Sequence, residues 1–576
     1  MNISLGNFLF EILISLSIFF VVICSSDIEV PYSLINYSTF ELDSYYIINK
    51  ISFSQVSNNQ YDYLLGIFEA SNFTSFSDSL PIAIIKEENL DNSNGNEICI
   101  NINMPQPYKY IRYIKPNANR NSNITDIKIY GHILPTDENL SEKKLLKITN
   151  LPLIIIKTEN AVEPISKVVY INSTITIINN NIIELNESAL IRVRGQSTAN
   201  RPKKPFKIKF GKKQNILGIS GQYKKWTLLA SHYDKALIRT LLAFKISEII
   251  GLEFTPRCEP VDVILNGNFR GSYYICDQIE VKEGRVDIEK ISKDDISGGY
   301  LLEIDSRAKS EEKYFLTDKG ILGEIKYPDP DDITESQEKY INQYLNTMES
   351  NVYEGNLEYI DLDSFYKYFL MQEFCGDIDT VFSSFHITKR KNDNKTYFGP
   401  VWDYDRAFDN DNRLYPTNNK SNFTLYYGDS AGTCRTFIIT LINTKNVMKN
   451  INQTWFEIRE EGLDIETLKD FIEEKVELLL ESANLNMLKW YNSKIGKGKD
   501  DYLKNVKIVI NYLEKRFDSL TNLIYKNIKE NEEKINNENI NEKNFDENES
   551  KSKSFHSNNE INLDINLFLL VFLFIL

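Results

Sequence analysis

The sequence predicts an α+β protein of 576 residues, in which an all-β region comes first and a helical region comes last. Residues 27–136 alternate aromatic-rich, strand-like runs with turns rich in Asn, Ser and Gly. Two later segments, Asp464–Trp490 and Asp500–Ile528, carry apolar residues at the i, i+3 and i+4 spacing of helices. Strand-like and helix-like segments alternate between these two regions. A chain of this length can form two or three domains, each with its own core.

The composition is that of a folded and acidic protein. Hydrophobic residues make up 42% of the chain and aromatic residues 12%, which is typical of globular domains rather than disordered ones. The formal net charge is -15. Because so acidic a chain gains little from displacing counterions on a phosphate backbone, the composition excludes nucleic acid as an expected partner.

The N-terminal segment has the character of a targeting signal. The apolar run Leu5–Ile23 is followed by Cys24-Ser25-Ser26, a small-residue cleavage region, so residues 1–26 are predicted to be a signal peptide. A retained membrane anchor is the alternative. N-glycosylation sequons along the chain, among them Asn172, Asn394 and Asn452, agree with a secreted protein.

The C-terminal segment resembles a lipid-attachment signal. Residues 529–559 are rich in Asn, Glu, Lys and Ser and are predicted to form a disordered stalk. In residues 560–576 a polar spacer leads to the apolar end Leu567–Leu576, which is too short to span a bilayer as a helix. This layout predicts a GPI anchor to the plasma membrane or cell wall, with a buried strand as the alternative. Mass spectrometry of the mature C terminus tests the prediction.

The first region ends in the hairpin pattern YKYIRYIKPNANRNSNITDIKIYGH. This pattern resembles the last strands of the discoidin, or coagulation-factor type C, jelly roll. The resemblance implies a β-sandwich over residues 27–136 that binds a carbohydrate or host-surface ligand through loops at one end. A sandwich that only spaces the next domain is the alternative. Residues 137–149 are polar and predict a linker. A fragment starting near Asn150 is therefore expected to fold without the β-sandwich.

Four acidic residues cluster in the stretch Gly376–Phe408. Asp377 and Asp379 precede a predicted two-stranded hairpin, whose second strand ends in Trp-Asp-Tyr-Asp. Because side chains alternate along a strand, Asp403 and Asp405 are expected to share a face. Carboxylates that converge in this way favour a hard cation, and Mg²⁺ with phosphate is a common occupant. Turn formation and strand capping are the alternative roles of these residues.

A basic face is predicted on the segment ALIRVRGQSTANRPKKPFKIKFGKK, residues 189–213. Two strands flank a Gly-Gln-Ser-Thr turn, and Lys207 and Lys209 share one face of the second strand. A basic face beside such a turn can hold an anion such as a nucleotide phosphate, although it can equally be a solvated strand surface. Further along, Glu303 and Asp305 share a face of the strand GGYLLEID.

Seven motifs occur in order from about Leu151 to about Ile524. They are LPLIIIKTENA, RVRGQST with PKKPFKIKF, WTLLASHYDKALIRTLLAF, VDVILNGNFRGSYYICDQI, GGYLLEID, DLDSFYKYFLMQEFCGDID and FGPVWDYDRAF. Together they resemble the CotH (spore coat protein H) kinases, and the resemblance is assigned to residues 150–528. It implies an atypical protein-kinase-like fold with a helical C-terminal part. The implied activity uses ATP and Mg²⁺ to phosphorylate Ser or Thr of extracellular or surface proteins.

The resemblance also implies roles for individual residues. Asp379 is the expected catalytic residue, which takes or orients the proton of the substrate hydroxyl. Asp403 and Asp405 are the expected Mg²⁺ ligands.

Residues expected to bind ATP carry the cationic and polar groups of the earlier motifs. These are Arg194, Ser197 and either Lys207 or Lys209, together with Asp277, which would pair with that lysine or bind metal. Gln196 departs from the family pattern, which has Asn there, but it removes neither a carboxylate nor the basic face. The expected function is a secreted, GPI-anchored surface kinase. The alternative is an adhesin that uses the same domain only as a binding platform.

Overall fold

In a computed structural model of the chain, the structure describes residues 28–93, 97–102, 107–116, 122–133, 148–219, 221–377, 382–411, 423, 434–491, 493, 497–530 and 533. The predicted signal peptide, most of the predicted linker, nearly all of the predicted stalk and the predicted GPI signal lie outside these residues. Within the described ranges, no helix is both long enough and apolar enough to cross a membrane.

The N-terminal module is a β-sandwich, as the sequence predicts. Its elements are β1 (Ile28–Glu29), β2 (Tyr32–Asn36), β3 (Thr39–Gln55), β4 (Ile67–Ser71), β5 (Leu80–Ile84), α1 (Glu87–Asp91), β6 (Glu97–Asn101), β7 (Tyr108–Ile114) and β8 (Ile124–His132). The long strand β3 belongs to both sheets: its first part pairs with β2 and β7, and its second part with β6 and β8. Phe53 on β3 contacts Phe68 and Tyr113 of the opposite sheet, with ring centroids 5.8 and 6.4 Å away.

Seven strands form a closed barrel next in the chain. They are β9 (Leu153–Thr158), β10 (Ile171–Asn179), β11 (Ile182–Val193), β12 (Phe206–Gln214), β13 (Tyr223–Leu229), β14 (Cys258–Leu265) and β15 (Asn268–Asp277). Their order is β10-β11-β12-β13-β15-β14-β9, and only the closing pair, β14 with β9, is parallel. Ile191, Ile208 and Trp226 fill the interior. Cys258 and Cys276 are opposite each other on β14 and β15 and form a disulfide.

A second sheet and a set of helices complete the fold. The sheet has the order β17-β18-β16-β19-β20, formed by β16 (Tyr300–Ile304), β17 (Tyr314–Leu316), β18 (Leu322–Tyr327), β19 (Phe385–Lys389) and β20 (Thr396–Phe398). The helices are α2 (Arg239–Ile249), α3 (Glu335–Tyr353), α4 (Leu362–Cys375), α5 (Arg435–Asn443), α6 (Val447–Glu460), α7 (Ile465–Trp490) and α8 (498–530). Asp464 caps α7 by accepting a hydrogen bond from the backbone of Thr467.

Helix α6 carries a sequon that the fold hides. Asn452 is only 1% exposed, so it cannot carry a glycan in the folded protein, in contrast to the exposed Asn172 and Asn394. Because Asn is frequent in this chain, some sequons arise by chance. The burial of Asn452 in the helix identifies its sequon as one of these.

The sandwich and the barrel share one apolar cluster. The cluster joins the sandwich core to residues of β9, β10, β14, β15 and α7, namely Leu153, Ile155, Ile178, Ile264, Phe269 and Leu485. Polar contacts cross the same boundary: Lys86 forms an ion pair with Glu481 at 3.2 Å, and Asn484 donates to the carbonyl of Leu65. On its other side α7 contacts the barrel, where Ser482 donates to Asp262 at 2.5 Å. Helix α7 therefore supports both modules.

This shared cluster predicts that a fragment beginning at Asn150 is less stable than the full chain. Removal of the sandwich would expose the apolar residues of the cluster, each worth about 1.5–3 kcal/mol when fully buried. We expect the fragment to melt at least about 5 °C below the full chain in differential scanning fluorimetry. The control, Lys86→Met in the full chain, breaks one ion pair and should melt within about 2 °C of wild type. A fragment as stable as the full chain would show that the sandwich is an independent appendage.

Candidate active site

A cavity of about 590 Å³ lies between the outer face of the barrel and the second sheet. Strands β11 and β12 form one wall, β16 and β18 form the opposite wall, and the segment that follows β20 closes one side. Of the residues predicted from the sequence to act on the nucleotide, the cavity brings together Arg194, Ser197, Lys207, Asp403 and Asp405.

The barrel wall of the cavity is cationic. Arg192 on β11 is the direct cross-strand partner of Lys207 on β12, and both line the cavity. Among the residues that the structure describes, no acid pairs with the Lys207 ammonium group. Burial, followed by the charges of Lys225, Arg192 and Arg194, lowers the pKa of Lys207 to about 7. A concentration of positive charge without an opposing carboxylate is the arrangement of an anion site.

The turn after β11 extends this wall over the cavity. Gly195 has a φ of +86°, and a Cβ there would collide with the Thr198 side chain, which explains the glycine. Arg194 stacks on Trp402 at 5.2 Å. Burial lowers the pKa of the Arg194 guanidinium, and the nearby Asp403 opposes that shift. The turn thus holds one cation directly beside an acidic group.

Gln196 connects this turn to its surroundings. Its side-chain amide donates to Glu311 at 2.7 Å, and its carbonyl oxygen accepts from Lys167 at 2.7 Å. All three residues line the cavity. The residue that departs from the family pattern therefore bridges the two walls.

The opposite wall has paired charges. The Lys326 ammonium lies 3.2 Å from Glu303 and 2.9 Å from Glu324, and all three residues line the cavity. Burial raises the pKa of Glu303, but Lys326 and then His386 outweigh it and lower that pKa to about 2. Glu303 was noted in the sequence, whereas Lys326 and Glu324 were missed. The alternation in LGEIKY could have flagged them, because it places both on one strand face.

Asp403 and Asp405 reach the cavity by a different route from the predicted one. The prediction of a strand ending in Trp-Asp-Tyr-Asp is wrong: β20 ends at Phe398, and Asp403 precedes a 3₁₀ turn over Tyr404–Arg406. Asp403 has a φ of +68°, a left-handed conformation that Asp tolerates better than most residues. The turn buries Asp405 to 7% exposure and leaves Asp403 exposed, yet both side chains line the cavity.

A buried ion pair holds this acidic turn in place. Arg239 Nη1 lies 2.5 Å from Asp234 Oδ1, and both side chains are 1% exposed. Asp234 also accepts from the backbone of Ala236 and Arg239. Arg239 in turn donates to the carbonyls of Ala407 and Phe408 at 3.0 and 3.3 Å. Asp234 thus also accepts a hydrogen bond from the first backbone N–H of α2, which begins at Arg239.

Two further predicted residues lie elsewhere. Lys209 is exposed and does not line the cavity, so Lys207 is the lysine that faces it. Asp277 does not pair with either lysine: it binds Arg257 and Arg285, each at 2.8 Å. It lies in register with Trp226, on the opposite strand face from Lys207, which explains why the two do not meet. Asp379 lies outside the described residues.

At the acidic turn, the cavity offers two carboxylates rather than a closed metal cage. Among the described residues, no group of three or more His, Cys, Asp or Glu side chains could hold a metal ion. Mg²⁺ typically uses one or two protein carboxylates together with phosphate oxygens and water. Asp403 and Asp405 beside the cationic wall fit a magnesium–phosphate ligand by this criterion.

We expect the Asp234–Arg239 pair to control stability. Asp234→Asn should lower the free energy of unfolding by about 3–5 kcal/mol, because it leaves the buried guanidinium without its counter-charge. Urea unfolding of the full chain measures this loss. The control, Lys367→Met, removes a pair with the largely exposed Asp363 and should cost less than about 0.5 kcal/mol. Equal effects of the two substitutions would contradict a special role for the buried pair.

Comparison with known proteins gives one family. The family model described as CotH kinase protein matches residues 191–520, which is more than half of the chain. No curated protein matches the chain. Among solved structures, the CBM62 module of Xyl5A from Clostridium thermocellum is 24% identical over 17% of this chain and 70% of its own, with a TM-score of 0.15. A score this low carries no argument about fold or ligand. The family match covers the cavity-lining strands and the acidic turn, and the chain therefore belongs to the CotH kinase family.

Proposed function

We propose that this protein is an ATP- and Mg²⁺-dependent protein kinase that phosphorylates Ser or Thr of extracellular or surface proteins. The single observation that carries the proposal is the cavity with cations on its barrel wall and two carboxylates beside them. Lys207, Arg192 and Arg194 supply the positive side, and Asp403 and Asp405 supply the negative side. A binding platform would need no such pair of carboxylates at the mouth of an anion site.

Magnesium–ATP would supply the transferable phosphoryl group and a positive charge that offsets its developing negative charge. Lys207 and Arg194 are proposed to bind phosphate oxygens, and the Ser197 hydroxyl to donate a hydrogen bond at the same end. Asp403 and Asp405 are proposed to hold the metal. Asp379 is proposed to orient the hydroxyl of the substrate and accept its proton.

We further propose that the protein acts outside the cell. The predicted signal peptide and GPI signal support a surface location, and the Cys258–Cys276 disulfide is typical of an oxidising compartment. The sandwich is proposed to hold the enzyme near its substrates by binding a carbohydrate or host-surface ligand.

Removal of a metal-holding carboxylate should reduce phosphoryl transfer strongly. Asp405→Asn keeps the shape of the side chain and removes its charge, so we expect the rate to fall on the order of a thousandfold, with weaker magnesium-dependent ATP binding. Transfer of labelled phosphate to an acceptor protein by the full chain measures the rate. Asp409→Asn, in the same segment but outside the cavity lining, is the matched control and should retain activity. Asp379→Asn should spare ATP binding and reduce transfer.

Two outcomes would count against the proposal. If Asp405→Asn transfers phosphate as fast as wild type, the metal site is misassigned. If wild type neither binds magnesium–ATP nor labels any protein, the chain is a surface adhesin with a kinase-like binding platform.

Lys207 should make ATP binding depend on pH. Since its pKa is about 7 in the free protein, the side chain is largely neutral at pH 8 and must take up a proton to pair with phosphate. We expect affinity to fall above pH 7, by at most about tenfold per pH unit. Calorimetry at pH 8 in buffers of different ionisation enthalpy should show uptake of nearly one proton by wild type. The Lys207→Met variant measures the proton uptake that comes from ATP itself. Equal proton uptake by this variant and by wild type would exclude the role of Lys207.

A further inference from the structure

A second pair of like charges lies on the barrel face just outside the cavity. Lys209 on β12 is the direct cross-strand partner of Lys225 on β13. Lys209 lies two residues after Lys207, on the same strand face, so the two pairs are successive rows of one surface. The second row runs Asn172, Leu190, Lys209, Lys225 across four strands and contains no acid.

Within the described part of the chain, this pair of lysines has no counter-charge. Among the residues described by the structure, no ion pair or hydrogen bond reaches the ammonium group of Lys209 or of Lys225. Like charges directly opposite on neighbouring strands are destabilising, and exposed ammonium groups attract counter-charges. The chain has 81 acidic residues against 66 Lys and Arg, so acids to neutralise the pair are abundant. The cost of holding two bare lysines together points to an anion that comes from outside the protein.

The position of Lys209 and Lys225 relative to the cavity indicates which kind of anion binds them. Neither Lys209 nor Lys225 lines the cavity, whereas Lys207, about 7 Å away along the strand, does. A ligand that extends out of the cavity along this face therefore meets the pair after it leaves the nucleotide site. An extended polypeptide can follow the strands in this way, but a flat membrane surface cannot enter the cavity mouth.

One rim of the mouth is apolar. Val168 lines the cavity and is 79% exposed, and Ile165 and Val169 beside it are 77% and 64% exposed. Arg192 connects this rim to the basic rows, because it donates to the carbonyl of Lys167 and stacks on Tyr170 at 4.8 Å. The mouth thus complements a polypeptide that carries both acidic and apolar side chains.

We propose that Lys209 and Lys225 form a docking subsite for the acidic side chains of the protein substrate. The substrate class is then Ser or Thr within acidic segments. This inference rests on the proposed function, because it assigns the substrate of the same cavity.

The test compares two peptides and two variants of the full chain. The peptides share one Ser and an apolar residue, and they differ only in having Asp or Asn at the flanking positions. For wild type, we expect the KM of the Asp peptide to be about tenfold below that of the Asn peptide. With ATP saturating for every variant, Lys209→Gln with Lys225→Gln should abolish the difference, and 0.5 M salt should weaken the preference. Lys449→Gln, at an exposed lysine of α6, is the matched control and should keep the preference.

A second measurement separates the two proposals. Fluorescence anisotropy of labelled peptides reports docking without phosphoryl transfer, so the Asp preference should appear there even if no transfer occurs. Transfer without any preference would overturn the subsite alone, and preference without transfer would overturn only the kinase.

Two further results would overturn the subsite. One is an Asp preference that survives in the double variant. The other is that the double variant loses binding to phosphatidylserine vesicles but not to the Asp peptide, which would make the pair a membrane contact. The melting temperature of the double variant should equal or exceed that of wild type, because it removes a like-charge pair. A lower value would mean that the lysines are structural.

Discussion

The buried pair between Asp234 and Arg239 is the interaction on which the candidate site depends. Two charges removed from water are tolerated only when each is fully hydrogen-bonded, and here the backbone supplies the remaining partners. Those partners include two carbonyls immediately after the acidic turn. The pair therefore fixes the position of Asp403 and Asp405, because Arg239 holds the backbone that follows them. The same ion pair lies at the start of α2, whose Thr240 lines the cavity.

The two walls of the cavity differ in how their charges are satisfied. On the β16–β18 wall, Lys326 pairs with two glutamates, so its positive charge is already satisfied within the protein. On the barrel wall, Lys207 has no counter-charge among the described residues. Its lowered pKa reflects how unfavourable the charged form of the side chain is there. A ligand with several negative oxygens gains most at the second wall and little at the first. This asymmetry gives the cavity a direction: the proposed phosphate would bind on the barrel side, and the proposed metal would bind at the acidic turn.

Sequence patterns predicted the secondary-structure elements better than the tertiary contacts between them. Apolar spacing located α7 and α8 to within a few residues, and the alternation in the segment after β11 identified the face of Lys207. Periodicity could not show that Asp403 and Asp405 lie on a 3₁₀ turn, because the left-handed Asp403 is held by tertiary contacts. It also could not separate Lys207 from Lys209, because both share a face and only the second sheet decides which one is covered. The partners of Lys326 and Asp277 depend on contacts across the fold, which no local spacing encodes.

Helix α7 contacts the barrel on one side and the sandwich on the other, through side chains that are mostly buried. We therefore expect the two modules to unfold together in one cooperative thermal transition. Under such linkage, any molecule that binds only the folded sandwich adds its binding free energy to the stability of the kinase-like part as well. Capture of a ligand by the N-terminal module would then stabilise a candidate active site that the ligand never touches.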